Sequence, residues 1–370
     1  MQKDRRQFLE DLMAAWCPSG FEEEAQEVVR GRLEGHAEVL RTDVHGNVLA
    51  GVNVDAPLRV MLAGHVDEIG LMVSHIDEKG FLYFRSIGGV DTNVLSGQRV
   101  VVHGAGGPVL GVLGRKAIHL LTEDERKQAP KMEDLFIDIG AKDGKDAAKH
   151  VRVTDPVTID VAMKPLLNDM VVSRAFDDRI GSFVVTEALL EVARRKPRVA
   201  LWSVSTVQEE VGLRGARTSA FGLDPHVGIA VDVGHTSDYA SGEKDKRKLG
   251  DIKIGGGPIL CRGPNINPVV GAGLERVAKA LKMPYQFQAE PSATGTDANA
   301  IQVSRSGVAT ALVSVPNRYM HTPVELISLR DADAIIRLLA EYVLTLGPTD
   351  TFIPGPRRSK ATARPARRGK

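Results

Sequence analysis

The stretch LWSVSTVQEEVGLRGARTSAFGLDPHVGIAVDVGH, residues 201–235, decides how the rest of the chain is read. It opens on a short apolar run of strand length, passes through the acid pair Glu209 and Glu210, and reads as a helix near 213–220. A second apolar run at 227–233 carries Asp232, with His235 close behind. Apolar runs alternating with helices are the pattern of parallel strands buried on both faces. In such sheets ligands bind beyond the carboxyl ends of the strands, which is where these acids fall.

The same alternation holds on either side. Residues 180–195 read as helix and 199–207 as strand. Downstream come helices near 271–281 and 297–304, a strand at 308–315 and a long C-terminal helix at 331–346. At the other end, two helices over 4–33 break at Cys17-Pro18-Ser19-Gly20, a hairpin turns at His45-Gly46-Asn47, and the run LRVMLAG (58–64) leads straight into HVDE (65–68). Between 74 and 162 the rhythm changes. Short runs such as FLYFRSI and QRVVVHG, divided by glycine, proline and acidic turns, read as an inserted, mostly β domain. The expected organisation is a first catalytic part at 1–73, an insertion at 74–162, a second catalytic part at 163–350 and a disordered basic tail at 354–370.

Charge and composition narrow the function. The 370 residues carry 48 Lys and Arg against 47 Asp and Glu, a formal net charge of +1. Seven of those bases, and no acid, lie between Arg357 and Lys370, so the remainder holds 41 bases against 47 acids. An acidic body with 5% aromatic residues is not built to bind nucleic acid. The charged start MQKDRR and the lack of any run of 18 apolar residues predict neither a signal peptide nor a membrane span. Two cysteines, Cys17 and Cys261, suit a reducing cytoplasm and exclude a cysteine-rich zinc site.

Five segments carry the candidate chemistry: AGHVDEIG (His65, Asp67), AFDDR (Asp177, Asp178), VQEEVG (Glu209, Glu210), AVDVGH (Asp232, His235) and YMHTP (His321). His65 and Asp67 are two apart, so on extended backbone they face the same way, and a carboxylate beside a histidine can fix its tautomer. Two glutamates at the end of a buried strand call for a cation. Adjacent side chains diverge there, so one can bind metal while the other serves as general base. Each segment alone also reads blandly, as a hydrogen-bonded histidine, a solvated acidic turn, or a loop salt-bridged by Arg174 and Arg179. Together, two histidines and several carboxylates without cysteine match the donor set of a paired zinc or cobalt site.

These segments, in this order and together with GTDA (295–298) and RYMHTPVE (318–325), resemble the tetrahedral (TET) metallo-aminopeptidase family. That family includes glutamyl and deblocking aminopeptidases and relatives named endoglucanases. The likeness extends over roughly residues 6–350. It implies an α/β fold, with a phosphorylase/hydrolase-like mixed sheet flanked by helices and interrupted by a β-barrel dimerisation domain. It also implies two divalent ions per subunit, zinc or cobalt. His65, Asp177 and Asp232 would hold one and Asp177, Glu210 and His321 the other, with Asp177 as the bridge. Glu209 would be the general acid/base, Asp67 the carboxylate that orients His65, and the Asp177–Asp178 peptide cis. The expected substrates are short peptides cut from the N-terminus, and the expected assembly is dimers joined into a tetrahedral dodecamer. Two other readings use the same residues: a metal-independent glycosidase with Glu209 in its carboxylate pair, and a zinc-binding scaffold without activity. Arg262, Thr296 and Arg318 are candidates to line the substrate pocket.

Overall fold

A computed structural model describes residues 1–355. From 356 onward, the expected tail at 354–370 lies outside the described residues.

The described residues form seventeen strands and ten α-helices. In chain order they are α1 (Lys3–Ala14), α2 (Glu23–Leu33), β1 (Val39–Thr42), β2 (Val48–Val52), β3 (Arg59–His65), β4 (Gly70–Ile76), β5 (Leu82–Ile87), β6 (Arg99–Gly104), β7 (Gly107–Gly114), α3 (Glu123–Lys127), β8 (Phe136–Asp138), α4 (Gly144–Ala147) and β9 (Pro156–Ile159). The chain continues with β10 (Lys164–Pro165), β11 (Met170–Ser173), α5 (Phe176–Ala193), β12 (Ala200–Thr206), α6 (Arg214–Leu223), β13 (Val227–His235), α7 (Lys246–Leu249), β14 (Ile259–Arg262), α8 (Pro268–Ala280), β15 (Gln286–Ala289), α9 (Asp297–Gln302), β16 (Ala309–Arg318), β17 (Glu325–Ser328) and α10 (Leu329–Thr345).

Eleven of the strands form one mixed sheet in the order β1-β2-β12-β3-β13-β16-β17-β11-β10, with β14 added against β16 and β15 against β14. Only β12, β3, β13 and β16 run parallel to their neighbours in the centre, and antiparallel strands close both flanks. These four are the runs that read as continuously apolar. β13 is buried along its length apart from His235, as a strand covered on both faces must be. The other six strands, β4-β5-β8-β7-β6-β9, close a barrel with its own core of Leu71, Val73, Leu82, Val100, Ile137 and Val157. Among the described residues no helix is long and apolar enough to cross a membrane.

One contact sets the distance between sheet and central helix. α5 is apolar on nearly every side and packs between β3, β12 and β13 on one face and α1 and α10 on the other, as expected for a helix without a solvent face. A side chain on Gly64 would overlap the Gly181–Ser182 peptide. β3 and α5 therefore meet backbone to backbone, one residue before His65 and just after Asp177-Asp178. This close approach joins two of the site's elements into one rigid corner.

Candidate metal centre

The carboxyl ends of β3, β12, β13 and β16 open onto one cleft. His65 is the last residue of β3 and is buried. Its Nε2 lies 3.2 Å from Asp177 Oδ1 and 3.8 Å from Glu209 Oε2. Its Nδ1 faces the backbone oxygen of Asp67 at 3.0 Å, with the Asp67 carboxylate at 3.4 Å. A carbonyl oxygen can only accept, so Nδ1 carries a proton, and Nε2 is the nitrogen whose lone pair a metal ion would take. His321, three residues after β16, repeats the arrangement. Its Nδ1 donates to the Gly89 carbonyl at 2.8 Å, and its Nε2 lies 3.2 Å from Asp177 Oδ2 and 3.5 Å from Glu210 Oε1. Gly89 belongs to the barrel, in the loop after β5.

Asp177 thus stands between the two histidines, one carboxylate oxygen toward each. Ligand atoms of His65, Glu209 and Asp232 lie within 4.8 Å of one another, and so do those of Asp177, Glu210 and His321. The peptide between Asp177 and Asp178 is cis, in line with the resemblance. Asp178 turns away from the cleft: its Oδ2 accepts from the His65 N–H at 3.1 Å and its Oδ1 from the Gly181 N–H at 3.0 Å. Arg174 and Arg179, which flank this pair in sequence, do not neutralise it. Both turn to the buried Glu68, Arg174 at 2.5 Å.

Asp67 reaches His65 chiefly through its carbonyl, while its carboxylate does other work. That carboxylate accepts from Ser19 Oγ at 2.7 Å, from the Glu209 N–H at 3.1 Å and from the Glu210 N–H at 3.3 Å. The loop after β12 is thereby tied to β3 and to the N-terminal segment. A residue the sequence reading passed over, Glu325, holds the other side. Its two oxygens accept from the Asp177 N–H at 2.8 Å and the His321 N–H at 2.9 Å. In sequence it is the last residue of the RYMHTPVE motif and a lone acid opening the apolar strand β17, and neither assigns it a role.

The electrostatics call for cations. Burial, with Asp232 adding to it, pushes Glu209 up to about 10. Burial and Asp177 push Glu210 up to about 7, and burial with Asp177 raises Asp232 well above the carboxylate range. Asp177 goes the other way: burial opposes its ionisation, but His321 and His65 hold it below its usual value. The Asp177 hydrogen bond in turn lifts His321 to about 10. Glu210 Oε1 is buried and accepts no hydrogen bond. Among the described residues, no lysine or arginine lines the cleft. Two histidines with their Nε2 atoms aimed inward, four converging carboxylates and an orphaned carboxylate oxygen fit a pair of divalent ions.

Of the pocket candidates, Thr296 lines the cleft, as does His235. Arg262 instead pairs with Glu275 at 2.6 Å and stacks over Phe287, and Arg318 pairs with Asp238 at 2.6 Å.

This is the layout of a dinuclear metallohydrolase. The chain belongs to the M42 glutamyl aminopeptidase family, whose profile matches residues 46–338. It is similar to the lysyl aminopeptidase of Pyrococcus furiosus, 37% identical over 340 residues that make up 91% of this chain and 95% of that one. Among solved structures it resembles the TET aminopeptidase from the marine sediment archaeon Thaumarchaeota archaeon SCGC AB-539-E09, with a TM-score of 0.88 at 34% identity over 93% of this chain and 98% of the other. The Pyrococcus horikoshii TET1 peptidase, described as assembling into a tetrahedron or a large octahedral shell, matches at a TM-score of 0.82 and 28% identity over 92% of this chain and all of that one. The protein is a dinuclear metal-dependent aminopeptidase that acts on peptides.

Proposed function

We propose that His65, Asp177 and Asp232 hold one divalent ion and that Asp177, Glu210 and His321 hold the second, each ion being zinc or cobalt. The observation that carries this reading is the Asp177 carboxylate, with an oxygen 3.2 Å from the Nε2 of each histidine. Bound there, the ions would supply Lewis-acid polarisation of the scissile carbonyl and lower the pKa of the attacking water. Glu209 takes the proton of that water on its carboxylate and hands it to the leaving amine, acting as base and then acid. Asp67 keeps Glu209 aimed by gripping the backbone N–H groups of residues 209 and 210. The acidic cleft receives the cationic α-amino group of a short peptide, which favours cutting from the N-terminus over cutting within a chain.

Thorough chelation is expected to bring aminopeptidase turnover to background, with zinc or cobalt added back restoring it on aminoacyl chromogenic substrates. Activity on glucans that survives chelation would instead support the glycosidase reading. Metal binding with no hydrolysis of any peptide would support the inactive scaffold.

We further propose that the barrel mediates self-association into dimers and that these assemble into a tetrahedral dodecamer. Leu110, Val112, Ile118 and Leu120 are exposed on or beside β7, an apolar surface of the kind that marks interaction sites. Native mass spectrometry is expected to find twelve chains per particle, and a monomer at working concentration would remove this proposal. Both cysteines are buried free thiols, which supports a cytoplasmic location.

A further inference from the structure

The cleft over the metal centre measures about 300 Å³. The cavity on the barrel side of the same residues, lined by Val90 and Leu95, is smaller. The larger cleft, which Asp177, Glu209, Glu210 and Asp232 all line, offers space for the side chain of a substrate's first residue. Beyond the acids of the metal centre, it carries one further carboxylate, Glu290.

Local structure puts Glu290 there. β15 alternates, with Gln286 and Gln288 half-buried and Phe287 and Ala289 outward, and Glu290 continues the inward row two residues after Gln288. Its Oε1 accepts from Gln288 Nε2 at 2.7 Å. Its Oε2 meets no protein donor among the described residues. Arg262 could have neutralised it, since its carbonyl accepts from the Glu290 N–H at 2.8 Å. The Arg262 guanidinium instead faces Glu275 and the ring of Phe287. Leu312 and Met320 give the cleft an apolar wall.

We propose that Glu290 selects a basic N-terminal residue, lysine or arginine, whose cationic head pairs with the free carboxylate oxygen while its methylene stem lies along Leu312 and Met320. An acidic residue would meet an unpaired like charge, and a leucine would leave the carboxylate without a partner. This inference rests on the aminopeptidase reading of the same cleft.

The test compares kcat/KM of the metal-loaded enzyme on lysyl, arginyl, leucyl and glutamyl p-nitroanilides, which vary the first residue alone. Lysyl and arginyl substrates should lead leucyl by roughly 10- to 100-fold, the worth of a hydrogen bond to a charged group. Glu290→Gln should collapse the lysyl-to-leucyl ratio to within a few-fold of unity, and Glu290→Lys should move the preference toward glutamyl substrate. Metal content and melting temperature are measured on each variant, so a misfolded protein is recognised and the other variant decides. An unchanged ratio in a folded, metal-loaded Glu290→Gln enzyme overturns the proposal, as does a wild type that prefers leucyl or glutamyl substrate while cleaving all four. Release from none of the four, with both ions bound, overturns the aminopeptidase reading and this inference with it.

Discussion

Glu209→Gln is expected to keep both ions and lose nearly all turnover, with kcat down roughly 10²- to 10⁴-fold, the usual contribution of a positioned acid/base. The amide has the shape of the acid it replaces, so the packing around a largely buried side chain survives. The loop keeps its anchor too, because the hydrogen bond to Asp67 comes from the backbone N–H of residue 209. What disappears is a group that can accept and return a proton. Burial pushes Glu209 up to about 10 without cations beside it, so its proton affinity is set by how much positive charge the site holds. Bound ions would bring it down toward the range in which it can cycle. Elemental analysis beside steady-state kinetics checks the claim. Near-normal kcat would remove Glu209 from the mechanism. Loss of an ion would make it a ligand instead, in keeping with its place beside His65 and Asp232.

Asp177→Ala should be the most severe single change at the centre, taking the protein from two ions to none and activity to background. Its two oxygens reach in opposite directions, each to a different histidine, so one truncation weakens both sites. His65→Ala and His321→Ala each remove a ligand from one site only and should retain more metal than Asp177→Ala does. The same contrast appears in stability. A ligand at 100 times its dissociation constant stabilises the native state by about 2.7 kcal/mol per site, so zinc should raise the wild-type melting temperature by several degrees and leave that of Asp177→Ala unmoved. An Asp177→Ala protein that still binds two ions would end the bridging assignment.

The chemistry was legible in sequence wherever it sat at the end of a continuous apolar run. His65, Glu209, Glu210 and Asp232 all do, and strand burial alone leads the eye to them. The polar flank was not. Gln286–Ala289 becomes β15 because β14 offers it a parallel partner, and four residues of alternating glutamine carry no such signal by themselves. The pairings of Arg174 and Arg179 with Glu68 span more than a hundred positions. In sequence those arginines look like partners of the adjacent aspartates, and only the fold separates them. Glu325 was missed for the opposite reason, since an acid opening a short strand looks like a surface residue. Backbone acceptors such as the Gly89 carbonyl leave no trace in residue type at all.

That Gly89 carbonyl makes the two parts of the molecule depend on one another. The barrel looks like a module that recombination could exchange, or that an engineer could trim to make a smaller enzyme. Yet it supplies the acceptor that fixes the tautomer of His321, and its loop fits so tightly that a methyl group on Gly89 would stand 3.2 Å from the imidazole. A transplanted or shortened barrel would have to rebuild that Gly88-Gly89 turn at the same height above the cleft. A design that varies this insertion must therefore keep the dipeptide that reaches the histidine.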